Sequence, residues 1–70
     1  MTTKRTMTLN LTAQEMDVLD RLASEKGLSK TGLVRQSLRL YQSVTERLER
    51  GEKLFVEDSE KNEKAELIVL

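Results

Sequence analysis

Residues 4–11, Lys-Arg-Thr-Met-Thr-Leu-Asn-Leu, alternate with a period of two. Met7, Leu9 and Leu11 fall on one face, and Lys4, Thr6, Thr8 and Asn10 on the other. The pattern predicts a half-buried strand over 4–11. A lone strand leaves its backbone N–H and C=O groups without partners. Nothing in the following forty residues has strand character, so the expected neighbour is the same segment of a second copy, paired antiparallel about a two-fold axis.

Chain size points the same way. Seventy residues make at most one domain, and so small a core rarely contributes more than about 3–5 kcal/mol unaided. Disulfides, a metal or a partner subunit commonly make up the difference. Cysteine and histidine are both absent, which removes disulfides and the usual zinc ligands. Oligomerisation is what remains. No metal or cofactor is expected.

Two helices follow the strand. Thr12-Ala13-Gln14-Glu15 has capping-box spacing, and Met16, Leu19, Leu22 and Ala23 recur at helical intervals, predicting a helix over 13–26. Gly27 stands where a left-handed residue ends a helix, with Leu28 as the apolar residue after it. Ser29 is placed as a second N-cap, and no breaker intervenes before Gly51, so the second helix is expected over 30–50. Its apolar positions form a broad face of Leu33, Val34, Leu38, Leu40, Tyr41, Val44 and Leu48. Packing on one small neighbour needs only a narrow stripe. The extra width is what a helix shared between two subunits would show.

From Gly51 the composition changes. Leu54-Phe55-Val56 and Ala65-Glu66-Leu67-Ile68-Val69-Leu70 are short, mainly apolar runs, and the polar stretch 57–64 lies between them. This predicts a β-hairpin with the charged residues in a solvated loop. Glu46 and Arg50 are spaced to pair one helical turn apart.

The order of strand, capped helix, Gly-Leu-Ser turn and longer helix resembles the ribbon-helix-helix DNA-binding family (the Arc/MetJ/CopG superfamily). Residues 5–12 look like its ribbon, and Gly27-Leu28-Ser29-Lys30-Thr31 like its inter-helix turn. The resemblance covers residues 4–50. It implies a mainly α fold with a short β-ribbon, an intertwined homodimer, with residues 1–50 as the DNA-binding and dimerisation domain. Residues 51–70 form an extension outside it.

By that resemblance the paired strands enter the major groove, which admits a two-stranded ribbon. Thr6, Thr8 and Asn10 then read bases, and Lys4 meets a base or a phosphate. CopG-like members often carry Arg where this chain has Thr6, which removes the usual guanine contact. Ser29, Lys30 and Thr31 occupy the place of the phosphate clamp, where free amides and the helix dipole attract anions. Gly32 has no side chain to cover those amides. Met7, Leu9, Leu11, Leu33, Val34, Leu38 and Tyr41 are the expected dimer core.

The implied function is a sequence-specific regulator, a repressor by expectation, acting on double-stranded DNA as a homodimer. Many members of the family carry a tail that masks a toxin, so an antitoxin is the alternative, with residues 51–70 binding a protein partner. A structural role for that segment, packing on the second helix or joining dimers, is the third reading.

Charge is compatible with DNA binding despite a net of zero. Residues 1–39 hold seven Lys/Arg against four acids, giving +3, and residues 40–70 hold five against eight, giving −3. Binding follows local potential rather than the total. With no His, no Cys and no Gly-rich phosphate loop, catalysis is not expected. No apolar run reaches the roughly 20 residues of a membrane span, and no signal peptide is evident, so the expected location is the cytoplasm.

Overall fold

The computed structural model describes residues 3–68. Their architecture is two helices followed by a two-stranded antiparallel sheet, mainly helical. Helix α1 spans Ala13–Lys26 and α2 spans Lys30–Glu49. Strands β1, Phe55–Asp58, and β2, Glu63–Glu66, form the hairpin. The chain divides into two units, Met1–Val34 and Arg35–Leu70, with the boundary inside α2.

Helix α1 is closed at both ends by backbone chemistry. Thr12 is extended (φ −66°, ψ 165°), and its hydroxyl accepts from the Glu15 amide while the Glu15 carboxylate accepts from the Thr12 amide. Two of the orphan donors at the helix start are thereby satisfied reciprocally. At the other end Gly27 is left-handed, φ 64°. The Leu28 amide reaches the Ala23 carbonyl at 2.9 Å, and the Gly27 amide reaches that of Ser24 at 3.2 Å. This is the Schellman pattern, which requires positive φ at its turning residue.

Helix α2 ends by the same device. Gly51 has φ 85°, its amide donates to Leu48, and the Glu52 amide donates to Arg47. The turn carries the Glu52 carboxylate back over the helix end, where it meets Arg47 at 3.0 Å and Arg50 at 2.9 Å. Arg50 therefore pairs with Glu52 rather than with Glu46, which accepts instead from Gln42 at 3.1 Å. The spacing rule for helical pairs gives way because Arg50 already lies in the turn.

Only Ala23 and Leu33 are buried hydrophobics among the described residues, and they flank the Gly27 corner. Met16, Leu19, Leu22, Leu28 and Val34 are half-buried. Most of the remaining large apolar side chains are exposed, including Leu38 at 67% and Leu40 at 68%.

The hairpin differs from its expected form. Glu57, Asp58, Glu63 and Lys64 lie in the strands, and the loop shrinks to residues 59–62. Asp58 accounts for the shift. Its carboxylate accepts from the amides of Glu60 and Lys61, building the turn from the strand end, and Asn62 takes φ 54° to return the chain. Asp and Asn are suited to these two roles. Phe55 faces Glu66, Val56 faces Ala65, Glu57 faces Lys64 and Asp58 faces Glu63. A bond from the Leu67 amide to the Leu54 carbonyl, 2.7 Å, extends the ladder by one step. Leu67 also lines an apolar cleft of about 230 Å³ with Ser37, Leu40, Tyr41 and Val44 of α2. Val69 and Leu70, which close the apolar run, lie outside the described residues.

Candidate nucleic-acid interface

The start of α2 is built by Ser29. Its hydroxyl oxygen accepts from the Gly32 amide at 3.0 Å, and its carbonyl accepts from the Leu33 amide at 2.9 Å. The cap thus consumes one of the amides that the sequence left open to an anion. Those of Lys30 and Thr31 precede it in the first turn, and the Ser29 hydroxyl keeps its own proton for donation. A Cβ at position 32 would lie 3.1 Å from the Ser29 oxygen, so glycine there relieves crowding on the cap. The sequence reading gave Gly32 a different task, clearance for a phosphate.

Lys30 carries an ion pair that no local pattern in the sequence reveals. Its ammonium lies 2.9 Å from Asp20 of α1, with the two side chains 58% and 48% exposed. Asp20 is ten residues away, across the Gly27 turn, and only the folded corner brings the two together. An exposed pair of this kind contributes little, about 0–1 kcal/mol.

The N-terminal segment forms no strand within the chain. Residues 3–10 are exposed throughout, so the alternation of a half-buried strand is absent. Met7 is 76% exposed and Leu9 53%. The physical reason is the lack of a ladder partner, since neither edge of the segment has a strand beside it among the described residues. Lys4, Thr6, Thr8 and Asn10 are consequently all accessible.

A shared cleft joins this segment to the turn. Met7 and Leu9 line a space of about 240 Å³ together with Lys30, Thr31 and Val34. Met7 and Leu9, two residues of the apolar parity, therefore border the first turn of α2, next to the side chains of the candidate anion site. Of the expected dimer core, Leu33 is buried, Leu11 and Val34 are half-buried, and Met7, Leu9, Leu38 and Tyr41 are exposed.

Two carboxylates titrate below their ordinary range. The Thr12 backbone amide and hydroxyl, bonded to Glu15, lower its pKa. The Arg50 guanidinium, with Arg47 adding to it, lowers that of Glu52. Both are structural caps, and neither lines the Met7–Lys30 cleft. No cluster of His, Cys, Asp or Glu suited to a metal occurs among the described residues, and none of their helices is long and apolar enough to cross a membrane.

The chain matches no protein-family model, and no curated protein or solved structure is significantly similar to it.

Proposed function

We propose that this chain is a homodimeric, sequence-specific DNA-binding regulator of the ribbon-helix-helix type, and not an enzyme. In this reading residues 4–11 of two copies pair antiparallel and enter the major groove. Thr6, Thr8 and Asn10 meet base edges, Lys4 meets a base or phosphate, and Ser29, Lys30 and Thr31 hold the backbone.

The observation that carries the reading is the Met7–Leu9 cleft. It sets the apolar side of an unpaired, alternating segment against the first turn of α2. Pairing with a second copy would satisfy that segment's backbone and cover Met7 and Leu9 in one step. The opposite row then lies outward on a ribbon, flanked by the Ser29 turn. Lys30 exchanges Asp20 for phosphate, a substitution that costs little because the existing pair is solvated.

Asn can bond adenine through two hydrogen bonds, while Thr offers a hydroxyl or a methyl contact to thymine. Base discrimination therefore rests mainly on Asn10. Backbone contacts at Lys30 supply affinity that falls with salt and is indifferent to sequence.

Selection of bound fragments from a random duplex pool tests the reading. The expected outcome is enrichment of an inverted repeat. Asn10→Ala should then lose about 1–3 kcal/mol of discrimination at one base pair of each half-site. Lys30→Ala should weaken binding to all sequences alike and flatten the salt dependence. A pool that yields no enriched sequence, or variants that bind like the parent, contradicts it.

For residues 51–70, the folded hairpin favours a structural extension.

A further inference from the structure

The hairpin is incomplete as an isolated object. Two-stranded hairpins are marginal in water without a third strand or a packed face. Both strands here are exposed at every residue, including Phe55 at 46% and Val56 at 57%. Each strand also keeps an outer edge with no neighbour among the described residues.

The ladder determines which groups those edges offer. The Leu67 amide bonds to the Leu54 carbonyl, so Leu54 and Leu67 are a hydrogen-bonded pair. Pairs alternate along an antiparallel ladder. Val56–Ala65 and Asp58–Glu63 are then hydrogen-bonded too, whereas Phe55–Glu66 and Glu57–Lys64 are not. On β2, the backbone groups of Lys64 and Glu66 therefore point away from β1, toward the open edge.

We propose that this β2 edge is a homotypic interface, pairing antiparallel with β2 of a second copy about a two-fold axis through Ala65. That register sets Lys64 opposite Glu66 of the second copy, and Glu66 opposite its Lys64. Each such pair exchanges two backbone hydrogen bonds and joins opposite charges. Ala65 meets its own counterpart on the axis, where a small residue fits. The neighbouring registers are rejected, because one sets Lys64 against Lys64 and the other Glu66 against Glu66.

Charge on an edge strand commonly keeps other strands away. Here the two outward positions bear opposite signs, and that arrangement selects one partner register instead of repelling all of them. The β1 edge has no such complement, since its outward residues are Phe55 and Glu57. Within the chain both β2 groups are held loosely. Lys64 stands 4.9 Å from the centre of the Phe55 ring, and Glu66 is 3.9 Å from Lys53. The contact does not depend on the DNA reading, and its test contains no DNA.

The chain has no cysteine, so Ala65→Cys introduces a single thiol on the proposed axis. Paired as described, the two thiols belong to a non-hydrogen-bonded pair with Cα atoms about 4.5 Å apart, inside the disulfide range of about 4.4–6.8 Å. Val56→Cys places a thiol across the ladder from Ala65 but on the other strand, and serves as the control. At micromolar full-length protein, Ala65→Cys should oxidise to a covalent dimer at least about tenfold faster, since pairing raises the effective thiol concentration toward millimolar. Equal rates overturn the proposal.

Charge reversal supplies an independent arm. In the Ala65→Cys background, Lys64→Glu should slow covalent dimer formation roughly fivefold by setting like charges opposite one another, and adding Glu66→Lys should restore it. The double variant still sets a second carboxylate across the ladder from Glu57 within the hairpin, so restoration reports the contact between copies. A double variant that associates no better than Lys64→Glu also overturns the proposal.

Discussion

The Gly27 corner and the C-terminal hairpin solve the same problem, reversing the chain, with very different degrees of self-sufficiency. The corner combines a capping box, a Schellman turn, a second cap at Ser29, the Asp20–Lys30 pair and the two buried hydrophobics. The hairpin has a well-made Asp58 turn and a regular ladder, yet exposes every residue of both strands. Local hydrogen bonding is satisfied in both, and burial separates them. Geometry can be written locally by caps and turn residues, but apolar cover needs a surface from elsewhere. In the proposed assembly a second copy extends the ladder from the β2 edge.

The largest expected contrast is in truncation of apolar side chains. Leu33→Ala should cost about 2–4 kcal/mol, because it empties one of two buried sites. Phe55→Ala should cost well under half of that when measured at protein concentrations too low for association. Urea unfolding of both variants checks this, and similar losses would mean that the hairpin is as well covered as the corner.

Backbone substitution comes next. A Cβ at Gly27 meets nothing within 4 Å, so Gly27→Ala is opposed only by the left-handed φ of 64°. A destabilisation of about 1–2 kcal/mol is expected. Gly51→Ala, at φ 85° with equally open surroundings, should cost a similar amount. Since α2 begins after one of these turns and ends before the other, amide exchange should rise at opposite ends of the helix in the two variants.

A smaller effect concerns the caps. Thr12→Ala should lose about 1 kcal/mol and change the response to acid. The Thr12 bonds lower the Glu15 pKa below its ordinary 4.5. Their contribution is therefore present above the unfolded value and is lost as pH falls through the folded one. Glu52 follows the same sign, through its bond from Arg50. Glu15→Gln should flatten part of the acid-side decline, more than Thr12→Ala, which keeps the backbone amide that contributes most, and Arg50→Gln should flatten another part. Thermal unfolding between neutral pH and a pH of about 3 separates the two.

The smallest effect expected is at Lys30. Asp20→Asn should change stability by less than about 1 kcal/mol, because both partners are about half exposed. Salt titration of the melting temperature would detect a larger role.

Much of the fold was legible because its signals are local. Thr12 with Glu15, Gly27 with Leu28, and Ser29 each mark an end through one or two backbone bonds, and α1 and α2 lie where those signals put them. The strand ends in the hairpin were less legible. Residues 57–64 look polar and loop-like, and only the Asp58 turn, with Asn62 left-handed, reveals that charged residues occupy the ladder. Long-range partners were illegible for a different reason. Asp20 meets Lys30, and Leu67 comes to line one cleft with Tyr41, both through turns whose directions no periodicity encodes. In the proposed interface, the Ser29 cap was readable. The consumption of the Gly32 amide by that cap was not.

The central claim is that a second copy completes this chain, and sedimentation equilibrium of the full-length protein, read beside far-ultraviolet circular dichroism, tests it most directly. The account predicts a mass of at least twice the 8.0 kDa of one chain at micromolar concentration, with helical signal lost as dilution splits the assembly. A species of single-chain mass that stays fully helical across the same concentrations would contradict it.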